Sequence, residues 1–269
     1  MKFSVVIPTL NEEDYVGNIL TCLVNQTHKD LKITVVDAPS ADKTKEKVLE
    51  FEKDLDLQFV VSPKKGVANQ RNFGAKKGRS SYVVFFDADV VIQPDFFEKL
   101  NIFLENHPET DVLTSWNIPL SERKRYKAFF WGFNQIYLEG LKKIDPVAVG
   151  TFICVKRKVF SEMKGFDPEV ALAEDYDLAG RIHKKGYKYV LLRDPVVFFS
   201  TRRYEETGRL KMLWVALRAG VYYHTKGSIT DSKIFDYPMD GLSRLNKKVK
   251  NDSRVKKIRK RISSGRTHP

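Results

Sequence analysis

The chain has 269 residues, 42% of them hydrophobic, and a formal net charge of +13; this supports a sizeable core, and with no Pro/Gly/Ser-rich linker one large domain is expected. The charge is uneven: residues 246–269 carry ten Lys/Arg against one acid, a net +9, leaving +4 for the rest. No apolar run approaches a membrane span, the N-terminal run is too short for a signal peptide, and Cys22 and Cys154 lack any metal-type spacing and read as buried thiols of a reducing, cytoplasmic compartment.

Strand-like and helix-like segments alternate from the start. Phe3–Pro8 reads as a strand, and Thr9-Leu10-Asn11-Glu12 resembles a capping box opening a helix to about Asn25. Strand Ile33–Asp37, helix Asp42–Phe51 and strand Leu57–Val61 follow, then Gly66 ahead of helix Val67–Lys76. Tyr82–Phe86 is a fourth strand, Pro94–Asn106 a helix with Pro at its start, and Val112–Ser115 a fifth strand. This order predicts an α/β fold, a mostly parallel Rossmann-like sheet with helices on both faces. The second half is less regular. Tyr126–Leu141 reads as an aromatic-rich helix, Val149–Val155 as a strand, Gly165-Phe166-Asp167 as a turn and Ala173–Lys185 as a helix with acids in its first turn. Tyr189–Leu192 and Val196–Ser200 read as short strands, and Gly208–His224 as a largely apolar helix. The expected layout is one domain over 1–200 in two halves (1–115 and 116–200), a helical extension over 201–245 and a basic tail over 246–269.

Chemistry concentrates where strands end. The apolar run Tyr82–Phe86 delivers Asp87-Ala88-Asp89 to its C-terminal tip, and open α/β sheets bind ligands beyond their carboxyl ends. Two carboxylates there repel unless a cation joins them, and hard oxygen ligands suit Mg²⁺ or Mn²⁺ carrying a diphosphate. Asp54-Leu55-Asp56 has the same spacing but reads as a solvated corner, because no clean apolar strand precedes it. Thr9, Asn11 and Glu12 follow the first strand and Asp37 ends the second. Each alone reads as a cap or turn residue; together with Asp87 and Asp89 on one sheet edge they favour a nucleotide site. Gly66 before a helix, with Arg71 one turn in, offers free N–H groups and a guanidinium to phosphate, although the Gly-Lys-Ser/Thr ending of a P-loop is missing. Glu174-Asp175 follows the apolar Ala171-Leu172-Ala173, an approach that brings a carboxylate inward to accept an acceptor's proton. Arg202 and Arg203 lie beyond a late strand, either as cations for a leaving diphosphate or as surface charges.

In order, Val6-Ile7-Pro8-Thr9-Leu10-Asn11-Glu12-Glu13, Val35-Val36-Asp37, Gly66 with Arg71-Asn72-Phe73-Gly74, Asp87-Ala88-Asp89 and Glu174-Asp175-Tyr176-Asp177-Leu178 resemble the family-2 inverting glycosyltransferases, which have the glycosyltransferase A-type fold. The resemblance implies donor contacts from Pro8, Thr9, Leu10, Glu12, Asp37, Gly66, Arg71 and Asp87, with Arg202 and Arg203 as secondary phosphate contacts. It implies a metal on Asp89 and Asp87, and a catalytic pair in Glu174 and Asp175 with Asp175 as the base. Ala38-Pro39-Ser40 departs from the family's usual second Asp and Gly-Ser. Val91 stands where related polyprenyl-phosphate sugar transferases often carry a Gln ligand, which leaves the third metal ligand unassigned, with His183 or His224 as stand-ins.

The expected function is metal-dependent inverting transfer of a sugar from a nucleoside diphosphate sugar to a glycan or lipid-linked acceptor. A nucleotidyltransferase is the alternative enzyme, but its Gly-rich N-terminal loop is replaced by Pro8-Thr9-Leu10-Asn11. A basic nucleic-acid-binding protein is the non-catalytic alternative; it leaves the edge carboxylates unexplained, and no nucleic acid is expected. The aromatic segment 126–141, the apolar helix 208–224 and the cationic tail together predict peripheral contact with an anionic membrane surface on its cytoplasmic side. Core or dimer packing of the helices with a solvated tail is the competing reading.

Overall fold

A computed structural model describes residues 2–202 and 209–231. Its elements are β1 (Phe3–Thr9), α1 (Val16–Val24), β2 (Leu31–Asp37), α2 (Thr44–Leu49), β3 (Leu57–Val61), α3 (Val67–Ala75), β4 (Tyr82–Phe86), β5 (Val90–Val91), α4 (Phe96–Asn106) and β6 (Val112–Pro119). Then come α5 (Lys124–Gly132), a π-helical stretch Phe133–Leu138, α6 (Glu139–Leu141), β7 (Phe152–Lys156), α7 (Arg157–Glu162), α8 (Glu174–Lys184), β8 (Tyr189–Phe199) and α9 (Arg209–Lys226). Arg203 and the basic tail lie outside the described residues.

The strands form one sheet in the order β3-β2-β1-β4-β7-β6-β8-β5. Its first four strands are parallel, as the alternation of elements requires. The other half is mixed rather than parallel: β7 runs antiparallel to both β4 and β6, and β5 antiparallel to β8. The expectation of a mostly parallel sheet thus holds for the half built from β1 to β4, and the antiparallel pairs enter where the second half of the chain folds back.

Side chains alternate across the sheet, so one strand feeds two cores. Phe3, Val5 and Ile7 of β1, with Tyr82, Val84 and Phe86 of β4, pack against α1 and α4 through Leu20, Leu23, Phe97 and Leu100. Val6, Val83 and Phe85 face the opposite way, onto Ala68 and Ala75 of α3, Phe160 of α7 and Ile182 of α8. A run that is apolar at every position, such as Tyr82–Phe86, is what burial on both faces demands.

Two local expectations are corrected. Thr9 does not cap a helix: it ends β1, and α1 starts only at Val16 with no side-chain cap. The N–H groups of the intervening loop are taken from across the site instead. Ser40 accepts from the Asn11 amide at 2.8 Å, Thr44 from Glu12 at 2.8 Å and Asp42 from Glu13 at 3.1 Å, and these bonds compete successfully with a helix. The segments Tyr189–Leu192 and Val196–Ser200 are one strand, β8, whose Arg193–Val196 stretch is absorbed as an irregularity opposite Ser115 and Asn117 of β6. There the Asn117 amide donates to Asn134 Oδ1 at 3.1 Å and Asn134 Nδ2 donates to the Asn117 carbonyl at 2.9 Å, so the π-helical stretch is pinned to the irregular strand.

Candidate functional site

The site lies where the parallel strands end. Thr9 of β1 sits opposite Asp37 of β2, and Asp87 follows the last residue of β4. Thr9 Oγ1 donates to Asp37 Oδ1 at 2.8 Å, while Ser40 donates to the same carboxylate from its hydroxyl at 2.6 Å and from its amide at 2.8 Å. Asp37 is buried, and these three donors fix the loop that follows β2. Gln70, which the motif reading passed over, donates its amide to the carbonyls of Thr9 and Val36 at 2.8 and 2.7 Å, tying α3 to the tips of β1 and β2. Gly66 opens α3 at φ 103°, a backbone angle that favours glycine. Pro8 is buried and Leu10 half-buried at the same edge.

Arg71 is the hub. Its side chain is 2% exposed, and its guanidinium is turned onto carboxylates. Nη1 donates to Glu174 Oε1 at 2.7 Å and Nη2 to Asp87 Oδ1 at 2.8 Å and to the Gly150 carbonyl at 3.1 Å. A buried guanidinium needs such partners, because an unpaired charge away from water costs several kcal/mol, roughly 3–5 on loss of one partner. Burial alone pushes Arg71 down, and Asp87, Glu174 and Asp175 together hold it above its ordinary value. Arg71 thus joins α3, the β4 tip, the loop before β7 and the start of α8.

Asp175 belongs to the same cluster. Its Oδ2 accepts the Gly150 amide at 2.6 Å and its Oδ1 accepts the Tyr176 amide at 2.9 Å. Burial, then the neighbouring Glu174 charge, push its carboxyl up to about 7, against the opposing pull of Arg71. A carboxylate that titrates near neutrality suits a general base. Glu174, by contrast, is committed to the ion pair with Arg71. Ala173, just ahead, sits in the left-handed region at φ 62°, which costs an L-residue about 1–2 kcal/mol.

Glu12, Asp89 and Arg202 form a second group. Arg202 Nε stands 3.1 Å from Asp89 Oδ2, its Nη2 donates to Glu12 Oε1, and its guanidinium lies 4.1 Å over the Tyr15 ring. The loop after β1, the β4 tip and the end of β8 therefore meet around one cation. Asp87 and Asp89 each carry an arginine, and each offers only carboxylate oxygen. That donor set fits a hard divalent ion which completes its shell with diphosphate and water. Among the described residues no cluster of three or more His, Cys, Asp or Glu forms, so neither His183 nor His224 joins them. His224 is held instead by Asp145 and Tyr137, at 2.5 and 2.9 Å.

Gly150 was not foreseen. A Cβ there would meet Arg71 Nη2 at 2.9 Å and Asp175 Oδ2 at 3.1 Å. Its only sequence signal is a glycine next to a β-strand, which marks close backbone approach.

Residues 4–164 match a family model described as glycosyl transferase family 2. An uncharacterised glycosyltransferase of Methanocaldococcus jannaschii is 29% identical over 71% of this chain and 68% of its own length. An uncharacterised glycosyltransferase of Rickettsia bellii and the minor teichoic acid biosynthesis protein GgaB of Bacillus subtilis also match, and the chain spans less than a third of the length of each. Among solved structures, residues 1–349 of Staphylococcus aureus TarS in complex with UDP-GlcNAc are similar, with a TM-score of 0.61 and 23% identity over 74% of this chain and 58% of that one. The mannosyltransferase PcManGT of Pyrobaculum calidifontis, in complex with GDP-Man and Mn²⁺, gives a TM-score of 0.65 and 22% identity over 84% of this chain and 70% of that one.

Proposed function

Because the chain belongs to glycosyl transferase family 2, we propose that it transfers a sugar from a nucleoside diphosphate donor to a hydroxyl of a glycan or lipid-linked acceptor, with inversion at the anomeric carbon. The observation that carries this is the buried cluster at the sheet edge, where Arg71 binds Asp87 on one side and Glu174 on the other, beside Asp175. Asp175 takes the acceptor's proton as its oxygen attacks the anomeric carbon opposite the leaving diphosphate. Gly150 holds the carboxylate from one side and the first turn of α8 from the other. Asp37, Thr9 and the loop after β1 form the floor for the nucleoside, and Asp87 and Asp89 face the diphosphate. A Mg²⁺ or Mn²⁺ ion held by Asp89 and Asp87 would neutralise the charge that develops on that diphosphate. Arg202 sits on the same carboxylate and is the second cation available to the leaving group.

The partner on the acceptor side includes an anionic membrane surface. No helix of the described residues is long and apolar enough to cross a membrane. Eight large apolar side chains are exposed among the described residues, and six of them lie on α5, the π-helical stretch, Ile144 and α9.

The test is a screen of UDP- and GDP-sugars for release of nucleoside diphosphate with Mn²⁺, Mg²⁺ or EDTA, with and without lipid-linked acceptors. Turnover by the wild type that EDTA removes, and that Asp89→Ala lowers about a hundredfold or more, is the expected result. Turnover indifferent to both EDTA and Asp89→Ala overturns the metal assignment.

A further inference from the structure

The first turn of α8 is clamped from outside the sheet. Ahead of Ala173, the Ala171 amide donates to the Ile229 carbonyl at 2.7 Å, and Leu172 and Ile229 form an isolated antiparallel bridge. Ile229 is fully buried with Val215 and Ala219, and Leu172 packs against that group. Behind Asp175, the Tyr223 hydroxyl donates to the Tyr176 carbonyl at 2.8 Å and the Ser228 hydroxyl to Asp177 Oδ1 at 2.6 Å. Residues 171, 172, 176 and 177 thus bracket Ala173–Asp175 with partners from α9 or the turn that follows it, while Asp177 Oδ2 also accepts from Arg181 Nε at 2.7 Å within α8. These partners lie beyond the residues 4–164 that match the family model.

A glycine in α8 accounts for the closeness of one contact. A Cβ on Gly180 would lie 2.1 Å from the Tyr223 hydroxyl. Glycine in the buried interior of a helix is otherwise unfavourable, so the position is shaped to admit that hydroxyl. Helix α9 is itself seated by the chain Asp145–His224–Tyr137, and Gly220 leaves room there, since its Cβ would stand 3.0 Å from the Tyr137 hydroxyl.

On the reading of Asp175 as the base, we propose that Tyr223 and Ser228 are positioning residues that hold the left-handed Ala173 and the first turn of α8, so that Asp175 keeps its carboxylate on the Gly150 amide. A strained residue persists only where its surroundings over-determine it, and α9 with its turn supplies that constraint. Tyr223 and Ser228 act through backbone and side-chain contacts of α8, not on the substrate.

The experiment compares the full chain with Tyr223→Phe/Ser228→Ala, Ser228→Thr, Gly180→Ala and Asp175→Asn. Hydrogen exchange at the Gly150 amide reads the position of Asp175 without any substrate. It is expected to quicken at least tenfold in the double variant and in Gly180→Ala, with amides of β1 and β4 unchanged and Ser228→Thr at the wild-type rate. With a nucleotide-sugar that is turned over in the screen above, kcat in the double variant falls about tenfold or more while the donor KM stays within twofold. Wild-type Gly150 protection in the double variant, or exchange that rises equally throughout the sheet, overturns the proposal. If the double variant loses its helical circular dichroism, Tyr223→Phe alone, which keeps the ring, decides by the same criteria. Asp175→Asn separates the two readings. Wild-type turnover in that variant removes Asp175 as the base, whereas an inactive Asp175→Asn beside a fully active double variant removes only the positioning role.

Discussion

Asp175 and Arg71 carry opposite charges in one cluster, and their substitutions have opposite consequences. Asp175→Asn keeps shape and removes the base, so turnover should fall about 10²–10⁴-fold with donor affinity, measured by calorimetry, near wild type. In the wild type the rate should rise with pH and level off above about 7, where the carboxyl ionises. The stability effect runs the other way. The folded chain keeps a proton on Asp175 from its ordinary value of 3.8 up to about 7, whereas the unfolded chain has already released it. The contribution of this group is therefore full below the unfolded value and is lost as pH rises through the folded one. Asp175→Asn should gain on the wild type in thermal melts as pH increases from 4.5 to 8; a constant gap would mean that Asp175 is not buried as described. Arg71→Met should instead lower stability by about 3–5 kcal/mol in denaturant titrations, because it removes a fully buried cation and leaves the partly buried Asp87 and Glu174 carboxylates without it. An unchanged midpoint would show the cluster to be wet. Asp87, Asp89 and Asp175 were legible as candidates because each stands beside a local pattern, a strand end or a helix start. The Arg71 hub was not legible, because Arg71 meets Gly150 and Glu174 across 79 and 103 residues, and no local periodicity encodes such a pairing.

At the scale of elements, α3 decides how the Arg71 hub is seated. A Cβ on Gly74 would stand 2.4 Å from Val6 Cγ1 and 2.7 Å from Val36 Cγ2, so the helix lies directly on β1 and β2. Gly74→Ala must lift α3 or push apart two buried strands. Overpacking of this kind costs about 1–3 kcal/mol, and because Arg71 and Gln70 ride on the same helix the strain reaches both strand tips. The expected outcome is a lower melting temperature together with weaker binding of the donor found in the screen; loss of stability with donor affinity intact would separate helix seating from the site. The parallel half of the sheet could be read from the sequence because its strands are predominantly apolar and alternate with helices. The antiparallel half could not, since β7 inserts between β4 and β6 through contacts that only the folded chain reveals. The capping box misread at Thr9 has a similar origin: the hydroxyl is drawn to Asp37, 28 residues away, and the local pattern that signals a helix start is overridden by a bond across the site. The break at Arg193-Asp194-Pro195 looked like a strand end because an irregular strand and a loop share the same turn-forming residues.

At the scale of the molecule, exposed apolar and cationic side chains recur together on two segments that touch. On α9, Trp214 and Val221 are 59% and 56% exposed, with Arg218 between them on the same helical face, while Val215, Ala219 and Tyr223 one step round are buried. The aromatic segment repeats the combination, with Trp131 at 61%, Ile136 at 75% and Ile144 at 77% exposure beside the exposed Lys124, Arg125, Lys127 and Lys143. Tyr137 and His224 join the two segments, so both belong to one lobe. Indole rings and aliphatic side chains flanked by lysine and arginine are the composition that settles at a lipid–water boundary. The sequence adds a net +9 over residues 246–269, and a cation near an anionic leaflet is worth about 1 kcal/mol, screened within a Debye length of about 8 Å at physiological salt. Flotation of the full chain should therefore recover it with vesicles containing about one-third phosphatidylglycerol at low salt and leave it behind with neutral phosphatidylcholine. Raising the salt to about 0.5 M should weaken recovery by screening the cations. Trp131→Ala/Trp214→Ala should weaken it at every salt concentration, because what it removes is apolar insertion. Truncation after Leu245 should lower the salt-sensitive part and spare the part that depends on tryptophan. Failure to float with anionic vesicles at low salt would end the membrane reading, and recovery unaffected by the double tryptophan change would assign binding to charge alone and leave the exposed apolar face to a protein partner.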